Sequence, residues 1–221
     1  MKHLLTLVVA LCAVTFAFGP HTGHPRLFFT ASDIPQIISR INQSGSAASQ
    51  LYGEVVEQSN YYNTNWLWDY DQFPHNKAAF YTGLPSIAFR YIVTGDIQWA
   101  TRAKYMIFNT ETPFYKQGII YDDWYTKLAA NPLGRMRAIS QQVIVLSILY
   151  DWLYDQLDAS QRGQIQQKII DNIALTYPWE IYGGGIRFVF TREDTNRMRY
   201  EHPTEALLLG AMSIYGENAG Y

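Results

Sequence analysis

The sequence predicts an all-α chain of roughly seven antiparallel helices joined by some long, aromatic-rich loops. Three observations carry that prediction. Apolar residues recur at three-to-four spacing along most of the 221 residues, the period of a helix with one buried stripe. Helix start and stop signals punctuate those stretches. Strand-like alternation is weak and confined to residues 186–191, after the flexible Gly183-Gly184-Gly185. Hydrophobic residues make up 48% of the chain and the formal net charge is −2, which excludes intrinsic disorder and leaves material for one large core.

Each element follows from local signals. Thr30-Ala31-Ser32-Asp33 starts a helix that carries Ile34, Ile37, Ile38 and Ile41. Gly45 separates it from a second stretch beginning near Ser46. Residues 77–93 have helical character, with Gly83 and Pro85 expected to kink them. Thr94-Gly95-Asp96 closes one helix on glycine and opens the next on aspartate. That next helix bears Trp99, Ala100, Ala103 and Ile107. The longest run, 135–157, has Ile139, Val143, Leu146, Leu149, Leu153 and Leu157 on one stripe. Asp158-Ala159-Ser160-Gln161 caps a helix bearing Ile165, Ile169, Ile170 and Ile173, and a final helix runs from Pro203 to about Tyr215. This last helix stops as its apolar face forms, the pattern of a domain cut short.

The first 19 residues read as a secretory signal: Lys2 and His3, an apolar run at 4–18, then Ala17-Phe18-Gly19 as a cleavage site. The run is about 15 residues, short of the ~20 that span a bilayer, so stable membrane insertion after cleavage is not expected. Cys12, the one cysteine, lies within it, so the mature chain (20–221) has no disulfide or thiolate site. Cleavage also removes Lys2, leaving 16 basic and 19 acidic residues and a formal charge of −3. Such a balance argues against nucleic acid as a partner, and the signal segment implies a periplasmic or secreted protein. Aromatic residues reach 15%, with 17 Tyr and 6 Trp, and rigid amphipathic rings suit both cores and sugar-binding clefts.

His24-Pro25-Arg26-Leu27-Phe28-Phe29-Thr30, with the helix at Asp33, resembles the opening of heparinase II/III-like polysaccharide lyases. Further matches follow in the family's order: Thr94-Gly95-Asp96, Tyr150-Asp151-Trp152-Leu153-Tyr154-Asp155-Gln156-Leu157, Gln161-Arg162, and His202-Pro203-Thr204-Glu205-Ala206-Leu207-Leu208-Leu209 running into Ser213-Ile214-Tyr215-Gly216-Glu217. They span nearly all of the mature chain, and the likeness is closest to the heparinase II type. The resemblance implies an incomplete (α/α) toroid followed by a β-sandwich region, and eliminative cleavage of uronic-acid polysaccharides without a cofactor. It implies an acidic polysaccharide as the partner. It also implies a catalytic tyrosine downstream of the His-x-x-Glu segment, for which these residues hold no matching position. The remaining toroid and the β region would belong to the rest of a parent chain.

Elimination removes the proton alpha to a uronate carboxylate and expels the 4-linked oxygen. It needs a group to neutralise the carboxylate, a base and an acid. His202 and Glu205 are three apart, so a helix opened by Pro203 carries both on one face at its N-terminus. The helix dipole there favours a neutral imidazole able to accept the proton or to hydrogen-bond the intermediate. By resemblance, Glu205 would contact the substrate carboxylate, which it can do favourably only when protonated. Glu201 favours that state and the dipole opposes it. The competing reading is a capping box in which Glu205, third in the helix, reaches back to the cap.

Arg187, Arg192, Arg197 and Arg199 precede this helix. They suit either a polyanionic glycan or local pairing with Glu193, Asp194 and Glu201. Asn196 offers a neutral donor to a carboxylate. The stretch Tyr61-Tyr62-Asn63-Thr64-Asn65-Trp66-Leu67-Trp68-Asp69-Tyr70 is too polar for a core helix and too aromatic for an ordinary loop. Asn65, Trp66 and Trp68 suggest a platform for sugar rings, with packing as the alternative. Tyr121-Asp122-Asp123-Trp124-Tyr125 carries the same two readings.

Metal chemistry is not expected, because His202-x-x-Glu205 lacks a second histidine and His21, His24 and His75 are scattered. Gly183-Gly184-Gly185 lacks the Lys-Ser or Lys-Thr of a phosphate loop. Asp151 and Asp155 share a helix face, where capping and local pairing are expected in place of catalysis. The sequence thus favours the N-terminal part of a uronate-polysaccharide lyase. A toroid glycoside hydrolase with two carboxylates and a non-catalytic glycan-binding fragment are the alternatives.

Overall fold

The computed structural model describes residues 23–71, 82–108, 132–179 and 201–217. Within them every regular element is a helix, with no strand. The strand-like residues 186–191, the signal segment and the Tyr121–Tyr125 motif lie outside the described residues.

The helices begin and end where short-range chemistry dictates. Thr30 donates its backbone N–H to the Asp33 carboxylate at 2.8 Å, and the 3-10 turn Ala31–Asp33 leads into α1, Ile34–Ile41. Ser46 receives the Ser49 N–H at 3.0 Å and opens α2, Ala47–Asp71. The third helix, α3, spans Leu84–Thr94. Gly83 and Pro85 fall at its start, where proline costs no helical hydrogen bond, and so do not kink its interior. It ends on Gly95 in the left-handed region (φ 66°), whose N–H bonds Tyr91 O. Asp96 then accepts the Gln98 N–H at 3.0 Å and caps α4, Ile97–Phe108.

Helix α5 spans Pro132–Trp152, shorter than the run at 135–157. A 3-10 turn, Tyr154–Gln156, follows, and it keeps Leu153 and Leu157 buried while redirecting the backbone. Asp158 and Gln161 exchange backbone-to-side-chain bonds at 2.8 and 3.1 Å, opening α6, Ala159–Trp179. The last described helix, α7, is Glu201–Ile214.

Helices α2 and α3, and α5 and α6, are antiparallel, and α3, α5 and α7 run the same way. Tyr150 and Gln142 of α5 bond Gln166 and Asn172 of α6 respectively, so those two helices oppose each other. Tyr52 packs on Phe89 with ring centroids 6.4 Å apart, whereas Ser59 and Asn60, farther along α2, receive the Arg90 guanidinium and Tyr62 lies against Gly83. Thus α2 opposes α3. Phe89 of α3 meets Trp152 of α5 at 5.5 Å, and Gln156 donates to the Tyr91 hydroxyl at 2.8 Å, bringing the C-terminal ends of α3 and α5 together. Helix α7 lies alongside α5 with the same polarity: Gly210 faces Val143, while Arg26 bridges the chain near Ser213 to Asp151.

The core lies among α3, α4, α5, α6 and α7, where Ile87, Met106, Leu146, Leu149, Ile165 and Ile169 are fully buried. Gly210 allows α7 to approach closely. A Cβ there would stand 2.8 Å from Ile173 Cδ1, 3.1 Å from Val143 Cγ1 and 3.3 Å from Ile169 Cγ2. Gly210→Ala is therefore expected to destabilise the fold by about 1–3 kcal/mol through overpacking. Gly53→Ala, in open space within α2, is expected to stabilise it by about 0.5–1 kcal/mol through helix propensity. Urea melts of the two variants check the opposite signs.

Candidate functional site

The residues before α1 bring charged groups into the interior. Asp151, in the last turn of α5, is buried. Its Oδ1 accepts the Arg26 N–H at 2.9 Å and its Oδ2 the Leu27 N–H at 2.8 Å. His24 Nδ1 stands 2.7 Å from Oδ1, and His24 Nε2 stands 2.9 Å from Glu217 Oε1. Ionised carboxylates only accept hydrogen bonds, so both ring nitrogens donate together only in the imidazolium form. Arg26 Nη2 donates to Ser213 O at 2.6 Å and to Glu217 Oε1 at 3.1 Å. Tyr154 donates to Glu217 Oε2 at 2.7 Å and stacks on the His24 ring at 3.8 Å. The Tyr150 ring meets His24 edge-on at 5.6 Å.

These contacts shift the groups in definite directions. Burial pushes the Glu217 carboxyl up, but hydrogen bonds from His24 and Tyr154, with the charges of His24 and Arg26, outweigh it and hold the group below its usual range. The Tyr154 phenol is raised by its hydrogen bond to Glu217 and then by burial. Tyr150 is raised by burial first, then by the charge of Glu217 and by Tyr154.

The cluster is a clamp. Each His24 ring nitrogen faces a carboxylate, and both carboxylates are also held by other donors. A pocket of about 190 Å³ opens beside it, lined in part by His24, Tyr91, Trp152, Tyr154 and Asp155. Asp151 pairs over long range with the first described residues, not locally as the sequence suggests, and Asp155 is exposed on the 3-10 turn. The spacing of His24, Asp151 and Glu217 along the chain gives no sign of this meeting. Among the described residues no group of three or more His, Cys, Asp or Glu is arranged to hold a metal ion.

His202 and Glu205 lie in the first turns of α7, but the helix starts at Glu201. Glu205 is consequently its fifth residue, and the capping-box register expected from Pro203 is not the one formed. The side chains of these two residues lie outside the described part, as do Asn196, Arg197 and Arg199 entirely. The parallel pairing of α5 and α7 adds what sequence spacing could not show. Arg135 precedes Val143 by the same eight residues by which His202 precedes Gly210. The first turns of both helices, with Arg135 and Arg137 on one and His202 and Glu205 on the other, therefore share one end of the fold.

Asn65, Trp66 and Trp68 lie within α2, which continues to Asp71. Their stretch, read from sequence as unsuited to a core helix, is helical. The side chains of Asn65, Trp66 and Trp68 lie outside the described part. Only the near end of the stretch has described side chains, and there Tyr62 is buried against Gly83.

Fold and site together define an all-α chain of alternating helical pairs, clamped by a buried ionic cluster. Comparison with protein-family models, with curated proteins and with solved structures gives no match.

The pKa directions fix the clamp's dependence on pH. Glu217 is depressed in the folded state, so its contribution is present above the unfolded value near 4.5 and is lost as pH falls through the lowered one. Tyr150 and Tyr154 are raised, so their contribution is present below 10.0 and is lost as pH rises beyond it. Through these groups the thermal midpoint should fall on the acid flank and again on the alkaline flank. Glu217→Gln should lower the midpoint near neutrality and weaken the acid flank, as followed by circular dichroism melts across pH.

Proposed function

We propose that this chain is the N-terminal part of a secreted or periplasmic (α/α)-toroid lyase domain that cleaves uronic-acid polysaccharides by β-elimination. The observation that carries the reading is the common end shared by the first turns of α5 and α7, with Arg135 and Arg137 on one and His202 and Glu205 on the other. A row of parallel helices, α3, α5 and α7, alternating with antiparallel partners also supports it, since a toroid grows by adding such pairs. The order of the sequence motifs supports the family.

The chemistry requires that C5 of the uronate lose its proton while the C4–O bond breaks. The C5–H electrons become the C4=C5 double bond, and the departing oxygen takes a proton. An arginine beside the carboxylate lowers the cost of charge building next to an existing anion. His202, favoured as neutral imidazole at a helix N-terminus, accepts the proton or hydrogen-bonds the enolate-like intermediate. Glu205 contacts the carboxylate in its protonated form. Among the described residues no helix is long and apolar enough to cross a membrane.

The test uses the complete product of the gene, offered heparan, chondroitin and alginate, with ultraviolet absorbance of the unsaturated product as the readout. Growth of that absorbance is expected with at least one of them. His202→Ala should lower kcat/KM by about 10²–10⁴-fold with an unchanged melting temperature. Replacing Arg135 and Arg137 with Gln should raise KM by about tenfold or more, the size of a lost charge-assisted hydrogen bond. New reducing ends without absorbance would sink elimination in favour of the hydrolase. Binding without turnover would favour the non-catalytic fragment.

A further inference from the structure

Helix α1 buries none of its residues, although Ile34, Ile37, Ile38 and Ile41 recur along it at helical spacing. All four are half-buried, so the described chain covers this apolar stripe only in part. Beside it a groove of about 270 Å³ opens between α1 and α2. Ile37 and Ile41 line it from α1, and Leu51, Tyr52 and Val55 line it from α2. Leu51 is 65% exposed. The groove shares no lining residue with the pocket beside the clamp.

The two walls carry opposite charges. Arg40 lines the groove from α1 and is exposed. Glu54 is exposed on α2, three residues on from Leu51 and its neighbour on the helix surface. Among the described residues neither the Arg40 guanidinium nor the Glu54 carboxylate has a partner. An apolar centre bordered by charge is the anatomy of a protein–protein interface, and a partly exposed apolar face of this kind marks an interaction site.

We propose that a second copy of this chain docks on this face with two-fold symmetry. A two-fold axis running along the groove lays α1 of one copy over α2 of the other, and an isologous interface uses each contact twice. Arg40 of each copy then faces the wall that carries the partner's Glu54, while Leu51 of each copy enters the partner's groove. Burial of the isoleucines and Leu51 supplies the driving force, and the opposite charges fix the register. Other occupants match the face less well. A small ligand seated in the groove leaves Ile38, outside its lining, uncovered, and an anionic lipid surface is repelled by Glu54. The inference does not rest on the elimination reading, whose residues lie on α5 and α7.

Sedimentation equilibrium of the chain across a wide range of concentration tests it. A reversible monomer–dimer equilibrium is expected. Leu51→Asp should weaken it about tenfold or more, because a carboxylate would enter the apolar groove. Arg40→Glu and Glu54→Arg each set like charges against each other and should each weaken it about tenfold or more. The double variant Arg40→Glu with Glu54→Arg restores the pairing with signs exchanged and should recover most of that loss. Leu208→Asp, at a position 59% exposed on α7, should dimerise like wild type. All these positions are exposed, and each variant should keep the wild-type circular dichroism spectrum. A monomer at every concentration, a dimer unchanged in folded Leu51→Asp protein, loss of the dimer in Leu208→Asp, or a double variant no tighter than the single ones would overturn the assignment.

Discussion

A single buried carboxylate organises this fold. Asp151 is removed from water, and taking a charge out of water costs several kcal/mol unless it is paired and hydrogen-bonded. Two backbone N–H groups and the His24 ring supply what the solvent no longer does. All three come from the short segment His24 to Leu27, so the carboxylate dictates where that segment lies. The same segment then reaches Glu217 and Ser213 through His24 and Arg26. The end of α5 and the end of α7 are thereby joined through residues that belong to neither helix.

That junction bears on the opposite end of the molecule. Helices are stiff at this length, and α7 rises about 1.5 Å per residue, so His202 stands roughly 20 Å from the clamp. With the C-terminal ends tied and Gly210 seated against Val143, little freedom remains for α7 to slide or rotate along α5. The relative placement of the two N-terminal turns is inherited from contacts made far from them. The ionic cluster thus serves as a positioning device.

The parts of the fold that were legible in the sequence are those decided within three or four residues. Thr30 with Asp33, Gly95 with Asp96, and Asp158 with Gln161 each act locally, and each formed as the spacing suggests. The apolar stripe at Val143, Leu146 and Leu149 was equally plain, because burial follows helical period. Asp151 was misread for the complementary reason: its partners lie 124 to 127 residues away, and nearby Asp155 offered a tempting local explanation. His24 was set aside as scattered on the same grounds. The stretch holding Trp66 and Trp68 mixes amides with rings and lacks an apolar stripe, so its helical state in α2 was not legible from its composition. The shared polarity of α5 and α7, and with it the company kept by Arg135, is a property of packing that no local signal encodes.

The span of the clamp has a consequence for how the chain is made. His24 and Glu217 are separated by 193 residues. At a translation rate of about 5–20 residues per second, the glutamate leaves the ribosome roughly 10–40 seconds after the histidine. Throughout that interval Arg26 and His24 can reach at most the aspartate, and the nascent helices lack their final tie. A chain of this design cannot close its clamp until Glu217 has been made, so the cell must keep the earlier helices from sticking to one another or to strangers while they wait.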